Sequence, residues 1–235
     1  MSHQLSFDLP ARAASGADDF FLSGANRIAF RQVTHDAAWP QGKLALIGPQ
    51  GSGKSHLVRI WQSGCDALVL PAGDLPGTDL PPTGRSVAVE DADRLTPAAE
   101  VPLFHLHNHV LAGGGRLLLT ARQAPADWPV ALPDLASRLL ATALARIDDP
   151  DDALLSALLT KLFADRQLSP GPGLLPYLVA RLERSYAAAQ AMVAALDAAA
   201  LAKGREISRA LAREVLDKIA ATRDEVSPAS HEGPP

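Results

Sequence analysis

Cysteine is almost absent from this chain of 235 residues, which carries one thiol, Cys65. A single thiol forms no internal disulfide, so the fold must rest on burial rather than cross-links, and with no partner pattern around it Cys65 reads as a small part-buried residue rather than a nucleophile. Aromatic residues are also scarce, at 5%. The core is therefore built mostly from Leu, Ala and Val, for which an apolar content of 47% is ample. No apolar run reaches the roughly 20 residues that a bilayer-spanning helix needs, and no signal peptide opens the chain. The expected location is the cytoplasm, with no membrane partner. Basic charge is not in excess either: 22 Lys and Arg stand against 26 Asp and Glu, a net charge of −4. That balance speaks against holding nucleic acid on a broad basic surface, because such binding rests on clustered phosphate neutralisation.

What is present is punctuated regularity. Short apolar runs at 44–47, 67–70, 87–89 and 117–120, with a fifth at 143–147, alternate with helical stretches, the pattern of a parallel sheet covered on both faces. The segment 71–85, rich in Pro, Gly and Asp, predicts a loop, and Pro97 starts a helix running to residue 111. Beyond Asp148-Asp149-Pro150 no strand-like run remains. Four helices are predicted there, at 151–166, 174–182, 185–203 and 208–222, the last with Ile207, Leu211, Val215, Leu216 and Ile219 on one stripe. The expected organisation is a flexible tail (1–16), an α/β nucleotide-binding domain (17–149), a small all-helical lid (150–222) and a second tail (223–235) rich in proline and poor in apolar residues.

The most specific signal is GPQGSGKS at 48–55, which fits the phosphate-loop template G-x-x-x-x-G-K-[ST] at every fixed position and follows directly on an apolar strand. Gly48, Gly51 and Gly53 free the backbone to curl around an anion, with Ser52 between them and His56 just beyond. Lys54 supplies a point charge for the outer phosphates, and the Ser55 hydroxyl is a ligand for Mg²⁺. ADP or ATP is the expected cofactor. Further on, Ser86-Val87-Ala88-Val89-Glu90-Asp91 is a strand ending in two carboxylates, the layout of a Walker B segment. Glu90 is placed to orient the metal and Asp91 to polarise a water. The strand at 117–120 ends in Thr120 and Arg122, either of which can sense the γ-phosphate. The helix holding His105, His107 and His109 invites a metal reading that spacing argues against, since residues two apart on a helix face different ways; they read as partly exposed helix residues.

This order of motifs, followed by Pro133-Asp134-Leu135-Ala136-Ser137-Arg138-Leu139 and then the helical domain, resembles an AAA+ module of the DnaA branch. The resemblance makes Arg138 an arginine finger, a planar, always-charged group offered to a neighbour's triphosphate. It makes Arg184 the lid arginine over the phosphates, and Asn26 and Arg27 contacts for adenine and ribose. Gln4-Leu5-Ser6-Phe7-Asp8-Leu9-Pro10 looks like the short peptide that docks on the DNA polymerase sliding clamp, Gln4 hydrogen-bonding while Leu5, Phe7 and Leu9 enter an apolar groove. The helix-turn-helix domain that follows the module in DnaA is not found, so no dedicated DNA-binding domain is expected. Together these features resemble the Hda family, regulators that act with the clamp to provoke hydrolysis of DnaA-bound ATP and so prevent over-initiation of chromosome replication. Two departures imply weak or no ATPase of its own: Glu90 stands where DnaA has Asp, and Arg122 where an acidic or amide sensor is usual. The sequence leaves open a homodimer, a free-standing P-loop ATPase, and a nucleotide-binding loader or adaptor for replication proteins.

Overall fold

Five short strands form one parallel sheet: β1 (Lys43–Ile47), β2 (Leu68–Pro71), β3 (Val87–Glu90), β4 (Leu117–Ala121) and β5 (Ala143–Arg146), in the order β2-β3-β4-β1-β5. The computed structural model describes residues 20–226, with side chains as far as residue 219. Gln4, Leu5, Phe7 and Leu9 of the expected clamp peptide therefore lie outside the described residues, as do residues 227–235.

Alternation within the strands explains why they read as unbroken apolar runs. On β1, Ala45 and Ile47 enter one core cluster while Leu44 and Leu46 enter the other; on β4, Leu117 and Leu119 part from Leu118 in the same way. One face is covered by α3 (Pro97–Ala112) and α4 (Pro133–Leu140), through Leu103, Leu106, Val110, Leu135 and Leu139. The other is covered by α1 (Arg27–Thr34) and α2 (Lys54–Cys65), through Ala29, Val33, Leu57, Val58 and Trp61. Helix α1 has no counterpart among the predicted helices: only Ala29 and Val33 of its eight residues are buried, too thin a stripe to stand out.

The helical part comprises α5 (Asp152–Asp165), α6 (Leu174–Val179), α7 (Tyr186–Lys203) and α8 (Arg209–Val226), around its own core of Leu155, Leu159, Phe163, Met192, Val193 and Leu211. It is stitched to the sheet layer, for Leu154 and Tyr186 belong to the core beneath α1 and α2. Burial among those groups, with Asp149, Asp151 and Asp148 nearby, pushes the Tyr186 hydroxyl up to about 12. Asp151 caps α5 by accepting the Leu154 N–H at 2.8 Å, and that bond chiefly holds its carboxyl below the usual range. Cys65 ends α2 half-buried, its thiol donating to the Trp61 carbonyl at 3.3 Å and pushed up in pKa by burial, which makes it a poor nucleophile.

Candidate functional site

In a parallel sheet the carboxyl ends of the strands share one edge, and the crevice there is where ligands bind. The order β3-β4-β1 brings three chain segments to that edge. Gly48 leaves β1 with its N–H bonded to the Ala121 carbonyl at 3.2 Å, and Thr120 stands opposite Leu46 in the β1–β4 register. The Asp91 N–H donates to the Thr120 hydroxyl at 3.2 Å, tying the end of β3 to the end of β4. A cleft of about 350 Å³ opens there, lined by Gln50, Gly51, Gly53, Lys54, Ser55, His56, Asp91, Arg94, Thr120 and Arg122. Phosphate loop, second carboxylate and both sensor candidates thus share one cavity.

The loop needs its glycines. Gly51 and Gly53 have φ of +79° and +91°, the left-handed region open to glycine at little cost. Lys54 is 9% exposed, and its ammonium donates to the carbonyls of Gly48 at 2.7 Å and Pro49 at 2.9 Å. Burial lowers its pKa, with Asp91, Asp93 and Glu90 opposing and Arg122 adding to the fall, so the loop carries a charge poorly solvated by water and suited to an anion. Ser52 turns away beneath the loop: its hydroxyl is buried without a hydrogen-bond partner and would lie 3.1 Å from a Cβ at Gly48. The second buried orphan is Glu90 Oε1, and the third is Oδ1 of Asp93, whose other oxygen accepts the Arg122 N–H at 3.1 Å. A buried carboxylate oxygen with no donor is costly, and a hard cation relieves it. Mg²⁺ needs few protein ligands because phosphates and water complete its shell, so Glu90 and Ser55 fit that role.

Other expected residues stand elsewhere. Asn26 is 2% exposed with its amide spent on a turn, accepting the Ser23 N–H and donating to the Phe21 carbonyl, each at 2.9 Å. Its place is therefore the scaffold of the loop before α1, while Arg27 opens that helix exposed. The aromatic that reaches the phosphate loop from this segment is Phe20. Its ring lies 3.2 Å from where a Gly53 Cβ would be, stacks on Phe30 and meets His56 edge-on. Arg184 precedes α7 and its guanidinium donates to Asp152 at 2.9 Å, a pairing that raises its pKa. His107 is buried, unlike the partly exposed residue expected, because its face of α3 turns toward Lys43; no group of three or more metal-ligating side chains occurs among the described residues.

Arg138 lies by the other end of β1. The Lys43 ammonium donates to its carbonyl at 2.8 Å, and Lys43 begins β1, about 13 Å of strand away from Ile47, where the phosphate loop starts. Its guanidinium is half-buried over Phe104, 4.6 Å from the ring centroid, and donates through Nε to Asn108 at 3.1 Å and through Nη1 to the Asp134 carbonyl at 3.0 Å. Three of its five N–H donors have no partner among the described residues. The start of α4 is fixed by buried Glu100, whose carboxylate accepts the N–H groups of Ala131 and Leu132. Lys43 and His107 lie beneath Arg138, both lowered in pKa first by burial, and no carboxylate ion pair joins the three among the described residues.

No protein-family model matches the chain, and no curated protein matches it in sequence. Solved structures do. Domain III of the Thermotoga maritima replication initiation protein DnaA matches at a TM-score of 0.67 and 16% identity, over 89% of this chain and 98% of that one. AMPPCP-bound DnaA from Aquifex aeolicus matches at 0.56 and 15%, over 77% of this chain and 64% of that longer one. The FIGL-1 AAA domain in complex with ADP matches at 0.60 and 13%, over 92% and 85%. At such identities the likeness is one of fold: an AAA+ module like domain III of DnaA.

Proposed function

We propose that the chain is a DnaA-related regulator of the Hda type. It binds adenine nucleotide at residues 48–56 and offers Arg138 to ATP held by DnaA, hastening its hydrolysis and preventing over-initiation of replication. Arg138 carries this reading, because it stands at the opposite end of β1 from the chain's own cleft and is absent from its lining. A phosphate that meets this guanidinium belongs to another molecule. The surroundings support a docking face: Leu140, two residues on from Arg138 at the end of α4, is 61% exposed, and Leu144 on the edge strand β5 is 42% exposed. Apolar contact flanking an unpaired guanidinium suits a partner bearing polyphosphate.

In the chain's own cleft, Lys54 and the loop N–H groups hold the phosphates of ADP or ATP, and Thr120 and Arg122 meet their outer end. Mg²⁺, held through Ser55 and Glu90, supplies charge neutralisation on the phosphate oxygens when bound. A second reading, own turnover as a free-standing ATPase, draws on Asp91, whose exposed carboxylate lines the same cleft. The expected tether is the peptide Gln4-Leu5-Ser6-Phe7-Asp8-Leu9-Pro10 on the sliding clamp, which makes the encounter with DnaA local rather than bimolecular. Deletion of residues 1–10, or Gln4→Ala, is expected to abolish retention on immobilised clamp while nucleotide binding stays; retention equal to the intact chain removes the tether from the mechanism.

A further inference from the structure

The arginine expected to close over the phosphates from the helical part is committed elsewhere, to Asp152. Another side chain of that part does reach the phosphate loop. A Cβ on Gly51 would lie 2.6 Å from Nε2 and 3.3 Å from Cδ of Gln190, so the Gln190 amide rests directly on the loop backbone at the border of the cleft. Gln190 belongs to the first turns of α7, is half-buried, and its amide has no hydrogen-bond partner among the described residues. Between Tyr186 and Asp197 it is the one polar side chain in an otherwise apolar run, YAAAQAMVAALD. An amide brings two N–H donors and one acceptor with no net charge. Gly51 at φ +79° makes room for it, because any side chain there would collide with the amide as well as strain the backbone.

We propose that Gln190 is the clasp by which the helical part grips the phosphates of a nucleotide bound at residues 48–56, and that, being neutral, it grips diphosphate and triphosphate almost equally. The inference rests on nucleotide binding at that loop. The contact also joins the two parts of the molecule, since α7 is packed within the helical core through Met192, Val193 and Leu196.

The test compares the full chain with Gln190→Ala, Gln190→Glu and Gln190→Arg, titrated with fluorescent ADP and ATP derivatives in Mg²⁺, with unliganded melting curves showing that each variant is folded. Gln190→Ala is expected to weaken both nucleotides about tenfold, keeping their ratio within about twofold, as loss of one hydrogen bond to a charged group implies. Gln190→Glu should weaken both further, and Gln190→Arg should shift preference toward ATP. If the unaltered chain binds nucleotide and Gln190→Ala binds it equally well, the clasp is overturned while the phosphate loop stands. If Gln190→Ala loses affinity for ATP alone, its neutrality between phosphates is overturned. If the unaltered chain binds neither nucleotide, the reading of residues 48–56 falls and the clasp with it.

Discussion

Arg138→Ala is expected to lower the stimulated rate of ATP hydrolysis on DnaA by about 10³-fold or more, the order that an arginine supplied in trans contributes to phosphoryl transfer. Nucleotide and clamp binding should stay, since Arg138 lines no part of the cleft. The substitution also removes the stacking on Phe104 and the bond to Asn108, at a cost of about 1 kcal/mol, which a melting curve registers separately. Two companions separate chemistry from packing. Arg138→Lys keeps a charge but loses the planar fork and should recover little stimulation. Asn108→Ala leaves the guanidinium in place without the acceptor that orients it, and should lower stimulation far less than Arg138→Ala. Full stimulation by Arg138→Ala would remove the finger from the account.

Lys54→Ala is the second large effect. The ammonium lies within the phosphate loop on the carbonyls of Gly48 and Pro49, where burial is the main cause of its lowered pKa and where Glu90, Asp91 and Asp93 supply the opposing charge. An anion entering the cleft gains a cation that water solvates poorly. Two hydrogen bonds from such a cation to phosphate amount to about 3 kcal/mol, or roughly 100-fold or more in affinity for ADP and ATP alike. The check is a thermal shift: at a ligand concentration of about 100 times the intact chain's dissociation constant, nucleotide adds about 2.7 kcal/mol to the intact chain, and a roughly 100-fold loss of affinity in Lys54→Ala should cut that to about 0.4 kcal/mol or less. An unchanged shift would place nucleotide binding outside residues 48–56.

The sheet was legible because its strands are buried on both faces and spell continuous apolar runs, and the phosphate loop because its template fixes residue types that a chance turn does not require. Sites assembled from distant segments were not. The Arg184–Asp152 pair and the seat of Gln190 on Gly51 join residues that no local pattern relates, though the lone amide in the apolar run of α7 was a visible signal. Asn26 shows the opposite difficulty: a polar residue in a ligand-like position whose hydrogen bonds are consumed by its own turn. His107 went astray because α3 is apolar nearly all round, so periodicity marks no solvent face on which to seat the three histidines.

The most direct measurement is hydrolysis of ATP loaded on DnaA, in the presence of this chain and of clamp on DNA, with each component omitted in turn. The account predicts rapid conversion of DnaA-bound ATP to ADP only when all three are present, with little turnover by this chain alone. Equal conversion when this chain is left out, or steady hydrolysis by the chain alone that Asp91→Asn abolishes, would contradict it.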